Sequence, residues 1–145
     1  MTGAELARAC ADAMWREDHA SQGLNIAVEH IAPGAARLSM VVERRMINGT
    51  GTCHGGFIFA LADSAFAFAC NTDGQVSVAS HCSISFLRPA RLNEQLVAAA
   101  EERHRAGRSG IYDVRVTAGD EVVAEFRGHS RTTGARPLEG AADAP

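Results

Sequence analysis

The spacing of apolar and polar residues predicts that the chain begins with a helix and continues into strands. Residues 3–18 carry apolar side chains at helical intervals with charges on the other side, which predicts an amphipathic helix. Two strand candidates follow at 24–32 and 36–44, separated by a Pro-Gly pair. In the second candidate Leu38, Met40 and Val42 alternate with polar residues, as in a strand with one buried face.

The segment 57–70, FIFALADSAFAFAC, is the most apolar part of the chain. Alternating aromatic residues at its start are compatible with a strand, but its five alanines and its length favour a helix. Because this helix is apolar on every side, we expect it to be buried all round.

Four more strand candidates follow this helix, at 76–87, 95–105, 110–118 and 121–132, with glycine-containing turns before the last two. In the first of them, alternation places six residues on one inward face: Val76, Val78, Ser80, Cys82, Ile84 and Phe86.

This order of elements predicts an α+β fold. A helix that is apolar on all sides needs a curved sheet around it, and antiparallel strands joined by short turns can form one. We expect a single domain over residues 1–133 with an N-terminal helix, followed by a flexible C-terminal tail at 134–145.

Composition and charge argue against several classes of protein. A formal net charge of -3 offers no basic excess for binding nucleic acid. The four scattered cysteines form no CxxC pair, which argues against a disulfide scaffold or a zinc ribbon and fits a reducing compartment. The N-terminus lacks the apolar run of a signal peptide, and segment 57–70 is shorter than the ~20 residues that span a bilayer. We therefore expect a soluble, cytoplasmic protein without membrane association.

Asp63 is the anomalous residue of the apolar helix. A buried carboxylate without partners is costly unless its pKa rises until it becomes neutral. One interpretation is an aspartate that faces the surface or pairs with an arginine. The other is a carboxylate held in a cleft, acting as a general base or as a nucleophile.

His54, Gly55 and Gly56 precede the same helix. Glycines at a helix start let a ligand approach the backbone, and the first amides carry the positive end of the helix dipole. That arrangement suits the oxyanion that develops on a thioester carbonyl. The alternative is a flexible helix entry, since a glycine pair alone is a weak signal.

A distance argument connects these two features. Gly55 and Asp63 are eight positions apart, which is about 12 Å along a helix. A reacting carbonyl must lie about 3 Å from its oxyanion donors and also near the attacking group. One helix cannot supply both groups to one substrate, so a site that uses both requires a homodimer.

Three further polar residues are weaker candidates. Asn48 can orient water or the carboxylate, or serve only as a turn residue beside a glycine. His54 can donate to the acyl carbonyl or brace the loop, whereas a metal role is disfavoured because no second ligand lies at suitable spacing. Ser80, expected on the inward face, can contact Asp63 or attacking water, or be a satisfied core serine.

Residues 48–89 resemble the PaaI-type (phenylacetic acid degradation) hotdog thioesterases, through NGTGTCHGGFIFALADSAFAFACNT and SISFLRP. The later GIYDV at 110–114 and VVAEFRGHSR at 122–131 resemble the same family. The resemblance implies a hotdog fold, in which a curved antiparallel sheet wraps a long central helix, and assembly into dimers and usually tetramers. It also implies hydrolysis of aryl-acetyl-type acyl-CoA thioesters, such as phenylacetyl- or hydroxyphenylacetyl-CoA.

By position, the resemblance assigns roles to the residues already singled out. Asp63 matches the family's catalytic carboxylate, and Gly55 matches the amide that polarises the carbonyl. Asn48 and His54 match polar residues near the acyl group, and Ser80 matches a residue close to attacking water. No metal or separate cofactor is expected, since coenzyme A is part of the substrate.

The phosphates of coenzyme A require cations near a surface groove. Arg127, His129 and Arg131 share one face of the last strand, while Arg88 and Arg108 flank strand ends. We take these five, with Gly56 at the helix start, as candidate contacts to coenzyme A. Each cation can equally be an ordinary solvated surface charge.

Two rival functions remain at this point. A hotdog hydratase acting on enoyl- or hydroxyacyl-CoA would need a histidine placed for proton transfer, and no histidine lies on the central helix after its start. A non-catalytic acyl-CoA-binding protein would usually carry an effector domain, for which 145 residues leave no room.

Overall fold

Three helices precede or interrupt the strands of the protein. The structure, a computed structural model, describes residues 1–134. The helices are α1 (Gly3–Glu17), α2 (His19–Gly23) and α3 (Gly55–Cys70), and Arg44–Met46 form one 3₁₀ turn. The end of the expected tail, at 135–145, lies outside the described residues.

Six strands form one antiparallel sheet in the order β1-β2-β4-β5-β6-β3. Their bounds agree with the predicted segments to within a few residues: β1 (Ala27–Ala32), β2 (Ala35–Val41), β3 (Ser77–Phe86), β4 (Gln95–Ala106), β5 (Ser109–Ala118) and β6 (Glu121–Thr132). The expected α+β hotdog arrangement, with α3 against the inner face of the sheet, is the one observed.

Local hydrogen bonds fix the N-terminal helices. Thr2 and Glu5 form a capping box at the start of α1, with Glu5 N–H donating to Thr2 Oγ1 at 3.1 Å. The short helix α2 was not predicted from sequence. Its N-cap is Asp18, whose Oδ1 accepts the N–H of Ser21 at 2.9 Å, and five residues are too few to show a helical repeat.

The prediction that the central helix is buried all round is wrong for the single chain. Leu61, Ala65 and Phe66 are buried against the sheet. Ala60, Asp63 and Ala67, which follow one another at helical spacing on another side of α3, remain partly exposed. One curved sheet covers only part of the circumference of a helix, so this side stays open.

The predicted inward face of β3 is also wrong in part. A β-bulge between Ala79 and His81 inserts Ser80 as an extra residue and reverses the alternation. Val78 therefore pairs with the exposed Arg131 and is itself 51% exposed. After the bulge, Cys82, Ile84 and Phe86 do lie opposite the inward residues of β6, as predicted: Gly128, Phe126 and Ala124.

No helix within the described residues is long and apolar enough to cross a membrane. All four cysteines are unpaired, as the sequence predicted.

Gly128 on β6 allows α3 to approach the sheet closely. A Cβ at this position would lie 2.7 Å from the Phe66 ring, closer than carbon atoms pack. Phe66 also lies against the rings of Tyr112 and Phe126, with centroid separations of 5.7 and 5.8 Å. The ring is therefore held by Gly128, Tyr112 and Phe126 from three directions.

We expect Gly128→Ala to lower the free energy of unfolding by about 1–3 kcal/mol, because the added methyl overpacks the contact between helix and sheet. Gly23→Ala is the matched control, since a Cβ at Gly23 meets nothing within 4 Å. Urea unfolding of both variants measures the difference. Equal stability of the two variants would contradict the tight contact at Gly128.

Candidate active site

The loop before α3 is held by backbone hydrogen bonds on both sides. The N–H of Asn48 donates to the carbonyl of Thr52 at 2.8 Å, and Ile47 and Cys53 form an isolated β-bridge. The His54 N–H donates to the carbonyl of Met46 at 2.7 Å. These bonds fix the position of the first residues of α3 relative to the loop.

Asn48 organises this loop through its side-chain oxygen. Its Oδ1 accepts hydrogen bonds from the N–H of Thr50 at 3.0 Å, the hydroxyl of Thr50 at 2.8 Å and the N–H of Thr52 at 3.2 Å. This is the turn role that the sequence left open. None of these bonds uses Nδ2, so the amide group keeps its two donor hydrogens for another partner.

His54 caps α3 with its own ring. Its Nδ1 accepts the N–H of Gly56 at 2.9 Å, so a neutral imidazole carries its proton on Nε2. The residue is exposed, and Nε2–H is left as a donor on the solvent side of the loop. Since the N–H of Gly56 is already engaged, His54 also decides which amide of the helix start is available.

That available amide belongs to Gly55, the first residue of α3. A first helical residue has no intrahelical acceptor for its N–H. The ring of Phe86 on β3 lies on the Cβ side of Gly55, and a Cβ on Gly55 would be 3.0 Å from the ring's Cζ. Phe86, 51% exposed in the chain, was predicted only as an inward residue, and its contact with the helix start was missed.

Asp63 lies on the open side of α3. Partial burial raises the pKa of its carboxyl group above the ordinary value. It borders a groove of about 350 Å³ between α3, the start of β3 and α1. The other residues that line this groove are mostly apolar: Met14, Phe66, Ala67, Cys70, Asn71, Val76, Ser77, Val78 and Ala79.

Asp63 affects the pKa of two nearby thiols, those of Cys70 and Cys82. Burial, with a smaller contribution from the negative charge of Asp63, raises the pKa of Cys70 to about 12. Burial and Asp63 also raise the pKa of Cys82. Both thiols therefore stay protonated near neutral pH and are poor nucleophiles.

Ser80 is not where the sequence placed it. As the extra residue of the β-bulge it is exposed, and its hydroxyl donates to the carbonyl of His129 at 3.1 Å. The expectation of an inward serine was wrong, because a bulge cannot be read from simple alternation.

Two of the arginines proposed to contact coenzyme A already have carboxylate partners. Arg88 pairs with Glu94 at 2.8 Å and with Glu121 at 3.0 Å. Arg127 makes a two-pronged contact with Asp113, at 2.6 and 2.9 Å. Their charges are compensated within the chain, so a phosphate would have to compete for them.

The remaining cations of that set are distributed over the sheet. Arg131 is exposed on β6, and Arg108 lies in the turn between β4 and β5. The His129 ring packs edge-on against His81, with centroids 5.5 Å apart.

Of the other candidate residues, Asn48, His54, Gly55 and Gly56 lie at the start of α3 or in the loop before it, and Asp63 lies further along the same helix.

Comparisons with known proteins agree with this architecture. The family model of the thioesterase superfamily matches residues 50–125. The chain is 42% identical over 125 residues to the acyl-coenzyme A thioesterase PaaI of Escherichia coli K12, covering 86% of this chain and 89% of that protein.

Solved structures show the same relationship. The E. coli PaaI protein from the phenylacetic acid degradation operon superposes with a TM-score of 0.91 at 39% identity, covering 93% of this chain and 99% of that one. A Streptococcus mutans protein bound to acetyl-CoA superposes with a TM-score of 0.73 at 26% identity, covering 77% of this chain and 91% of that one. The resemblance inferred from residues 48–89 is confirmed, and the chain belongs to the thioesterase superfamily as a hotdog protein of the PaaI type.

Proposed function

We propose that this acyl-CoA thioesterase hydrolyses an aryl-acetyl-type thioester, such as phenylacetyl- or hydroxyphenylacetyl-CoA, to the free acid and coenzyme A. The observation that carries the mechanism is the position of Asp63, a carboxylate with a raised pKa beside an apolar groove. The sequence resemblance and the PaaI relatives support the substrate class.

In the proposed reaction, the Gly55 N–H donates to the thioester carbonyl oxygen and stabilises the negative charge that develops there. The positive end of the α3 dipole adds to this stabilisation. Asn48 and His54 belong to the loop that leads into the start of α3, and in the proposed reaction the His54 Nε2–H and the Asn48 amide orient the acyl group.

In one route Asp63 attacks the carbonyl carbon and expels the thiolate of coenzyme A, which leaves a mixed anhydride that water then hydrolyses to the free acid and the Asp63 carboxylate. In the other route Asp63 removes a proton from a water molecule that attacks the carbonyl carbon and expels the thiolate directly. The two routes differ in the source of the new oxygen atom. Single-turnover hydrolysis in isotopically labelled water separates them, since label enters the Asp63 carboxylate only when water opens an acyl-Asp63 anhydride at the Asp63 carbonyl, whereas general-base attack puts the label into the free acid. Ser80 is a candidate for holding this water as an acceptor, since its hydroxyl donates to the His129 carbonyl and keeps its lone pairs.

We also propose that two copies of the chain build each site. Gly55 and Asp63 lie on one rigid helix, about 12 Å apart, so the Gly55 of one protomer must act with the Asp63 of another. β3 is an edge strand of the sheet and exposes Val78 and Phe86, which suits pairing with a second copy. Pairs of dimers would give the homotetramer typical of the family.

Arg108, Arg131 and His129 are the candidates for holding the phosphates of coenzyme A, with Arg88 and Arg127 available only by exchange of their carboxylate partners. No further cofactor enters the proposed reaction. The four unpaired cysteines fit a cytoplasmic location, where thiols stay reduced.

Asp63→Asn is expected to lower kcat by about 10²–10⁴-fold, because the amide can neither accept the proton nor attack. Asp120→Asn is the matched control, since Asp120 is an exposed carboxylate in the turn between β5 and β6. Thiol release from phenylacetyl-CoA measures both variants. Wild-type turnover by Asp63→Asn would remove Asp63 from the mechanism.

The rate should depend on pH through Asp63. The group must be ionised to act, and its raised pKa means that it becomes protonated at a higher pH than an ordinary aspartate. We therefore expect kcat/KM to fall as pH falls through that raised pKa. The residual activity of Asp63→Asn should not show this fall in the acid part of its pH profile. A wild-type acid limb at the ordinary aspartate pKa of about 4 would contradict the assignment.

Gly55→Pro tests the helix-start amide, since proline is accepted at the first position of a helix but has no N–H. Gly55→Ala adds a Cβ against Phe86 while keeping the N–H, and therefore controls for crowding. We expect Gly55→Pro to lose activity by about 10²–10³-fold relative to Gly55→Ala.

Mixing the two inactive variants tests the shared site. Refolding equal amounts of Asp63→Asn and Gly55→Pro chains together should restore about a quarter of wild-type activity, because half of the dimers are mixed and each has one intact site. Activity that stays at the level of the separate variants would contradict a site shared between protomers.

A further inference from the structure

The groove beside Asp63 has walls of unequal rigidity. Its far end is built by Asn71 and Ser77, which hold each other through two hydrogen bonds: Asn71 Nδ2 to the Ser77 carbonyl at 3.1 Å, and the Ser77 N–H to Asn71 Oδ1 at 2.8 Å. The Ser77 hydroxyl is also bonded to Thr132 Oγ1 at 3.0 Å. Moving this wall would leave buried polar groups without partners, so it is fixed.

The wall formed by α3 is equally fixed. Phe66 is confined by Tyr112, Phe126 and the backbone of Gly128. Cys70 is 3% exposed and belongs to the same packed core. Neither residue can yield to a larger ligand without disturbing the contact between α3 and the sheet.

Met14 differs from these residues. Among the described residues that line the groove, it alone comes from α1. It is half-buried, and an unbranched thioether side chain with three rotatable bonds adapts to the shape of its surroundings. The next residue, Trp15, packs against Phe68 at a centroid distance of 6.5 Å and holds this part of α1 against α3. Met14 therefore projects from an anchored helix as the adjustable side of the groove.

We propose that Met14 is the residue that sets the size limit for the acyl group. The inference rests on the proposed function, in which the acyl group lies beside Asp63. A groove of about 350 Å³ is near the lower end of the ~300–1,000 Å³ range of small-molecule pockets, and two of its walls, formed by Asn71 with Ser77 and by Phe66 with Cys70, are fixed. The site accordingly takes compact acyl groups, such as one aromatic ring or a short chain, and excludes long fatty acyl chains.

The test compares kcat/KM for phenylacetyl-, octanoyl- and palmitoyl-CoA in the full-length protein. For Met14→Ala we expect the ratio of octanoyl- to phenylacetyl-CoA to rise about tenfold, a size typical of discrimination by a few methylene groups. Met14→Phe, which fills the groove, should shift the same ratio in the opposite direction. The two variants together keep the test valid if one of them folds poorly.

Leu6→Ala is the matched control, since Leu6 is a partly buried apolar residue of α1 that does not line the groove. An unchanged acyl profile in folded Met14 variants, or the same change in Leu6→Ala, would overturn the role of Met14 while leaving the thioesterase proposal intact. If the wild type hydrolysed none of the three substrates, the proposed function would be overturned together with this inference.

Discussion

Phe66 of α3 lies over Gly128 of β6, and this contact positions the helix that carries the site. The absence of a side chain at Gly128 brings the helix close to the sheet, and Tyr112 and Phe126 hold the ring from two other directions. Because Phe66 and Asp63 are three residues apart on one helix, fixing the ring also fixes the carboxylate. The sheet covers one part of α3 and leaves Asp63 at the border of the exposed part.

The positively polarised start of α3 and the Asp63 carboxylate lie at two separate places on the helix. Its first amides carry a partial positive charge, and the cap formed by His54 engages the Gly56 N–H while that of Gly55 has no partner within the helix. Asp63 lies two turns later, where partial burial raises its pKa. A rigid helix keeps the Gly55 N–H and the Asp63 carboxylate about 12 Å apart, so the proposed reaction, which uses both groups, requires two chains.

The outer surface shows why charge alone is a poor guide to ligand binding. Arg88 and Arg127 are arginines of the kind that phosphates attract, yet each is held by carboxylates within the chain: Glu94 and Glu121 for Arg88, and Asp113 for Arg127. These ion pairs occupy the guanidinium groups in a fixed geometry. Which charges lie opposite one another depends on strand order, and β3 next to β6 is a pairing between distant parts of the chain.

The sequence by itself determined the helices α1 and α3, the six strands and the anomaly of Asp63, because periodicity and composition act over short stretches of chain. Asn48, His54 and Gly55 were recognisable for the same reason, since caps and turns are local. Only the tertiary structure decided that a bulge turns Ser80 outward, that one side of α3 stays open, and that Met14 borders the groove. These features depend on which distant segments pack together, and no local pattern encodes the register of that packing.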